Sequence, residues 1–220
     1  MLYTIFGDFM ITTIYYIRHA EPVKDNKTKI EGKTEQDLNE SICLSPKGKM
    51  QAKKLSEIEQ LQNLNQVWSS NYTRAIDTAK FIANKNNKEI IIEPNLGERK
   101  LGDLEKLKLL GRTKNRSYTQ EQLLDENLKN EGGESHKEVK ERIYNVTVDI
   151  LNKNKGNTCA IISHGAAIKF LLMNWCTLDE DLNILYNGNI VVKETIDYAG
   201  VIKLEFENDK LINIQNIEHN

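Results

Sequence analysis

The sequence predicts an α/β fold: a three-layer α/β/α sandwich around a mainly parallel, mixed sheet that closes with a C-terminal β-hairpin. Three observations carry this expectation. Short apolar, β-branched runs alternate with segments of helical periodicity for most of the chain, the pattern of strands buried between two helical layers. The 220 residues, 39% hydrophobic and 28% charged, suit one domain with a sizeable core. The last two apolar runs flank Asn208-Asp209, a turn that joins two antiparallel strands and makes the sheet mixed.

The elements follow in order. Residues 1–10 are apolar but carry Asp8, lack a basic start and are too short to span a bilayer. We expect them to be an extension, with Met10 an alternative start and residues 11–220 a single domain. Ile11 to Ile17 has no Gly or Pro, reads as a doubly buried strand, and ends at Arg18-His19. Ser45-Pro46 opens a helix, since Ser caps well and Pro suits the first helical position. Ala52, Leu55, Ile58 and Leu61 continue it at helical spacing. Val67 to Ser69 is a short strand, and a helix from about Tyr72 places Ala75, Ile76, Ala79, Ile82 and Ala83 on one face. Glu89 to Ile92 is a third strand. Residues 99–133 are polar and irregular, with a basic cluster at Lys106, Lys108, Arg112, Lys114 and Arg116. Ser135 and Glu138 make a capping box for a helix bearing Val139, Ile143, Val146 and Ile150. Thr158 to Ile162 is a buried strand ending at Ser163-His164-Gly165. A helix from about Ala166 to Trp175 follows, and Val201 to Phe206 with Leu211 to Ile217 form the hairpin.

Composition narrows the function. A net charge of −2 gives no global field for nucleic acid or an anionic membrane, so neither is an expected partner. Cys43, Cys159 and Cys176 are too few for a disulfide framework and suit a reducing, cytoplasmic setting. None is spaced from a histidine like a zinc site, and no metal is expected.

In open α/β sheets, ligands sit beyond the carboxyl ends of the parallel strands. Arg18-His19 follows the first strand. Ser69-Ser70-Asn71 follows the second, with Arg74 in the next helical turn. Glu98 lies in the loop after the third, and His164-Gly165 follows the fourth. Two arginines, two histidines and a glutamate thus converge on one edge, beside two helix N-termini with free N–H groups. Singly, each has a structural explanation: a loop histidine, a surface cation, a solvated carboxylate. Their convergence predicts a phosphate pocket with a nucleophile and an acid beside it.

Ile17-Arg18-His19-Ala20-Glu21-Pro22 resembles the signature of the histidine phosphatase superfamily, which includes the phosphoglycerate mutases. Further matches follow in the family's order. They are Leu44-Ser45-x-x-Gly48-x-x-Gln51-Ala52, Ser69-Ser70-x-x-x-Arg74-Ala75-x-x-Thr78-Ala79, Leu96-x-Glu98-x-x-x-Gly102-x-x-Glu105, Gly133-Glu134-Ser135 and Ser163-His164-Gly165. The likeness covers roughly residues 11–175. It implies that His19 accepts the phosphoryl group, that Glu98 donates a proton, and that Arg18, Arg74, His164 and Gly165 bind the phosphoryl oxygens. Two departures stand out. Ala20 replaces a common Gly, and Asp25 takes the place of a phosphate-binding Asn, leaving Asn26, one residue later, as the candidate substrate-binding Asn.

The residues define a mechanism. Phosphoryl transfer asks mainly for positioning and charge stabilisation, which two guanidinium forks supply without metal or cofactor. His19 must be neutral to attack, and nearby arginines disfavour its protonation. Its other nitrogen should donate to a carbonyl or carboxylate, fixing the tautomer. A phosphate dianion beside Glu98 favours the protonated acid, so turnover should peak on the acidic side of neutral. The expected substrate is a small phosphorylated metabolite. Phosphosugars, phosphoglycerates and a ribazole phosphate all fit the resemblance, and the sequence leaves oligomeric state open. Two rivals remain. A mutase would return the phosphoryl group to a second position, but here only 36 positions separate Glu98 from Glu134, shorter than that branch's usual segment. A non-catalytic phosphate-binding module could have lost the nucleophile or the acid.

Overall fold

Strand β1 (Ile11–Arg18) shows how the chain divides its core. Side chains alternate faces along a strand, so Ile14 and Tyr16 enter one hydrophobic cluster while Tyr15 and Ile17 enter another. The computed structural model describes residues 10–24, 34–102 and 119–219, and these carry the account below. Strand β4 (Thr158–Ser163) repeats the division, with Cys159 and Ile161 on the first side and Ala160 and Ile162 on the second.

The other elements pack on these two faces. Helix α1 (Glu35–Ser41) is capped by Thr34 and Asp37, and α2 (Pro46–Leu55) by the Ser45 hydroxyl. Strand β2 (Gln66–Ser69) leads into α3 (Thr73–Lys85), and β3 (Ile90–Ile92) into a single 3-10 turn at Pro94–Leu96. Short α4 (Gln120–Leu124) precedes α5 (His136–Lys153), whose Ser135–Glu138 capping box forms as the sequence predicts. Helix α6 (Gly165–Leu172) follows β4. Then come β5 (Thr177–Leu178), β6 (Ile184–Tyr186), β7 (Asn189–Val192) and the hairpin β8 (Val201–Glu207) with β9 (Lys210–Ile217).

Six strands make the main sheet in the order β3-β2-β4-β1-β8-β9, parallel from β3 to β1 and antiparallel across the hairpin. Helices α2 and α3 cover the face of Tyr15 and Ile17, whereas α5 and α6 cover that of Ile14 and Tyr16. The mixed three-layer sandwich is therefore the observed fold. Each fully buried Ile or Leu adds about 1.5–3 kcal/mol relative to exposure, so both layers are held chiefly by these side chains.

Three expectations are corrected. Helix α2 stops at Leu55; Leu61 joins the same buried face from a 3-10 turn, since Ser56 ends the helix by bonding back to Ala52, Lys53 and Lys54. Helix α6 ends at Leu172 rather than Trp175, with Met173 at its C-cap. The second sheet, β5-β6-β7, was not anticipated. Its turn at Asn187-Gly188 places both residues at positive φ, 49° and 79°, the geometry for which Asn-Gly is the strongest short-range hairpin signal. The segment 1–9, Asn26 and the basic cluster from Lys106 to Arg116 lie outside the described residues.

Candidate active site

The site begins with strand register. Arg18 pairs with Ser163, and Ser69 with Ile162, so the next residues, His19, His164 and Ser70, leave the sheet together. The His19 N–H donates to the Ser163 carbonyl (3.0 Å) and the Ser70 N–H to the Ile162 carbonyl (3.1 Å), carrying the ladder one step further.

His19 is 5% exposed. Its Nδ1 lies 2.8 Å from the Ala20 carbonyl, which can only accept, so Nδ1 carries the proton and Nε2 holds a lone pair. Arg74 Nε–H donates to that lone pair at 3.1 Å. Burial, then the Arg74 charge, push the imidazole pKa down to about 3; Arg18 adds to the shift, and the Ala20 carbonyl opposes it. The ring is therefore neutral at neutral pH, as nucleophilic attack requires.

His164 has the opposite tautomer. Arg74 Nη2 is 3.4 Å from Nδ1, which must accept, so Nε2–H donates to Ser70 Oγ at 2.8 Å. Complete burial, followed by His19 and the arginines, holds this imidazole well below the ordinary histidine range. The two rings meet edge to face at 5.1 Å.

Arg74, in the first turn of α3, gives its Nη1 to the Asn39 carbonyl at 2.6 Å, an anchor supplied by α1. One guanidinium thus orients both imidazoles. Arg18 donates Nη1–H to the Ile196 carbonyl and lies 4.0 Å from the Tyr198 ring centroid. Gly165 makes room for it, because a Cβ there would stand 3.3 Å from Arg18 Nε.

Glu98 reaches the same place from the β3 side. Its carboxylate accepts from the Ala166 N–H (3.3 Å) and the Ala167 N–H (3.0 Å), satisfying the free N–H groups that open α6 beside His164. Its loop is tightly braced. Arg142 grips Glu134 with a bidentate fork (2.6 and 2.7 Å) while Nη1 donates to the Asn95 and Gly97 carbonyls. The Ser163 hydroxyl donates to the Leu96 carbonyl at 2.7 Å.

Arg18, His19, Arg74, Glu98, His164 and Gly165 therefore converge as the strand-end argument requires. Sequence reasoning missed Ser70 as a partner of His164, although Ser70 directly follows β2. It also missed Arg142, whose Glu134 partner lies in a quoted motif. Asn39, Ile196 and the Ala20 carbonyl act through backbone oxygens, for which the sequence carries no signal. Among the described residues, no three His, Cys, Asp or Glu side chains cluster as metal ligands. Among the described residues, no helix is long and apolar enough to cross a membrane. The arrangement offers two guanidinium groups, a fixed imidazole lone pair and a carboxyl group to an oxyanion.

A family model described as the histidine phosphatase superfamily (branch 1) matches residues 14–214. The chain is 29% identical over 163 residues to phosphoglycerate mutase-like protein 4 of Arabidopsis thaliana, covering 72% of this chain and 68% of that one. Among solved structures, a mycobacterial glucosyl-3-phosphoglycerate phosphatase aligns with a TM-score of 0.68 at 18% identity, covering 94% of this chain and 97% of that one. A phosphoserine phosphatase from Entamoeba histolytica aligns at 0.62 and 22% identity, covering 93% and 96%.

Proposed function

This chain belongs to the histidine phosphatase superfamily, branch 1, and on that premise we propose that it is a metal-independent phosphomonoesterase acting on a small phosphorylated metabolite through a phosphohistidine. The observation that carries this reading is the lone pair on His19 Nε2, held between a proton fixed on Nδ1 and the guanidinium of Arg74.

The steps use groups already in place. His19 Nε2 attacks phosphorus as the ester oxygen departs, and Glu98 gives that oxygen a proton. Arg74 exchanges its bond to Nε2 for bonds to the phosphoryl oxygens, and Arg18 contributes a second fork. Nδ1–H keeps its bond to the Ala20 carbonyl and stabilises the positive charge that develops on the ring. Water then attacks the phosphohistidine and passes a proton to Glu98, leaving inorganic phosphate and free His19. Charge-assisted hydrogen bonds are worth about 1.5–3 kcal/mol each, so the two arginines together contribute several kcal/mol when they tighten on the transferring group. Before it can act as the acid, Glu98 must give up its bonds to the α6 N-terminus, an exchange that an arriving phosphate would drive by competing for the same N–H groups. The exposed free thiol of Cys43 suits the reducing cytoplasm in which we place the protein.

The test is incubation with a 32P-labelled phosphomonoester. An acid-labile phosphoprotein that forms in the wild type but not in His19→Ala, with release of inorganic phosphate, supports the reading. Absence of both leaves a non-catalytic phosphate-binding module. The name of the Arabidopsis relative favours a second reading, phosphoglycerate mutase. Interconversion of 2- and 3-phosphoglycerate, outpacing hydrolysis of p-nitrophenyl phosphate, would establish that instead.

A further inference from the structure

The turn from Ile196 to Gly200 belongs to no helix or strand, yet it closes on the two residues that begin the site. The Arg18 N–H donates to the Gly200 carbonyl at 3.0 Å, and the Ala199 N–H to the His19 carbonyl at 3.3 Å. The Arg18 guanidinium gives Nη1–H to the Ile196 carbonyl and stacks on Tyr198 at 4.0 Å from the ring centroid. The Tyr198 ring itself lies 5.7 Å from the imidazole of His19. Between these contacts, buried Ala199 sits at φ 61°, a left-handed conformation unfavourable for any residue with a Cβ. Such strain persists where surrounding contacts over-determine it, and it clusters at functional sites.

The choice of partners around Arg18 is informative. A long, flexible cation can be held by a carboxylate, which also neutralises it. Here the holders are a carbonyl oxygen and an aromatic face, and the buried Nε has no hydrogen-bond partner among the described residues. An aromatic face restrains a guanidinium through its quadrupole and leaves the full charge available.

We propose that Tyr198 is a positioning residue that acts through Arg18, holding its guanidinium over the oxyanion hollow beside His19 without neutralising it. This inference rests on the phosphoryl-transfer reading above and adds a residue to it.

A double-mutant cycle tests it. Orthovanadate affinity is measured by calorimetry, and kcat/KM with p-nitrophenyl phosphate, for the wild type, Tyr198→Leu, Arg18→Ala and the double variant. Tyr198→Leu should weaken both by about tenfold, the scale of a partly desolvated cation–π contact. In the Arg18→Ala background it should cost less than about twofold, and Tyr198→Phe should restore the wild-type values. Tyr198→Met, which keeps the bulk but not the aromatic face, serves as a second variant should Tyr198→Leu fail to fold, and should lose as much. Equal losses with and without Arg18, or unchanged vanadate affinity in Tyr198→Leu, overturn the proposal. Vanadate binding needs no turnover, so a chain that binds vanadate without hydrolysing ester refutes the phosphatase reading while the cycle still reports on Tyr198.

Discussion

Lowering the pH should destabilise this protein through His19, by an amount that follows from its burial. The imidazole titrates at about 3 in the folded chain, against an ordinary value of 6.5. Below the ordinary value the unfolded chain takes up a proton that the folded chain refuses. This stability is therefore fully present above pH ~6.5 and is lost as pH falls toward the folded value. Each pKa unit is worth about 1.36 kcal/mol, so between pH ~7.5 and pH ~5 the loss from His19 alone is about 2 kcal/mol. That is a large share of a typical domain stability of about 5–15 kcal/mol. His164 acts in the same direction, because burial and the neighbouring His19 and Arg74 also hold its pKa down. Urea unfolding of the wild type and His19→Ala at both pH values, in buffer free of phosphate and other oxyanions, measures the effect of His19 together with the part of the His164 shift that His19 causes, which adds to it. The cavity left by alanine offsets both measurements equally, and shared carboxylate titrations cancel. The wild type should lose about 2 kcal/mol more than the variant on acidification, which shifts the difference in urea midpoints by about 1 M at an m-value of ~2 kcal/mol/M. Equal acid losses in the two proteins would show that His19 is not held below its ordinary range, removing the basis for a nucleophile that stays neutral on the acidic side of neutral.

Further outcomes follow from individual contacts. Ser70→Ala leaves the His164 Nε2–H without its acceptor and should cost about 1–3 kcal/mol in urea unfolding, with a parallel drop in turnover. Glu98→Gln removes the proton donor, so the first turnover of an alkyl phosphate should slow about 10²–10⁴-fold. The p-nitrophenol burst from an activated ester should barely change, because that leaving group needs no proton; equal slowing of both contradicts the acid role. Arg142→Ala frees the Asn95–Glu98 loop without touching substrate, so kcat should fall about tenfold, as misplaced catalytic groups cost rate, with KM little changed in steady-state assays.

Legibility in the sequence varied with the kind of interaction. The buried strands stood out because both of their faces are apolar, Ile14, Tyr16, Cys159 and Ile161 on one side and Tyr15, Ile17, Ala160 and Ile162 on the other. The convergence of Arg18, His19, Arg74, Glu98 and His164 followed from one rule about strand ends, with no side-chain geometry needed. The capping box at Ser135 was plain, whereas the equivalent boxes at Thr34–Asp37 and Thr119–Gln122 passed unnoticed because the helices they open are so short. Strands β5 to β7 have two to four residues, too few to show a period of two. The anchors of the arginines were hidden for another reason. Arg74 binds the carbonyl of Asn39 and Arg18 that of Ile196, and every residue type offers the same carbonyl.

The pairing of Arg18 with Ser163 sets a strict limit on change in this chain. A strand advances one face per residue, so gaining or losing one position inside Thr158–Ser163 would turn His164 to the opposite side of the sheet from His19 and exchange the two hydrophobic layers. Loops between the strands face no such arithmetic, because lengthening them alters neither side. What this chain recognises can therefore be changed by remodelling its connections, whereas the residue count of Thr158–Ser163 must be kept to hold His164 beside His19.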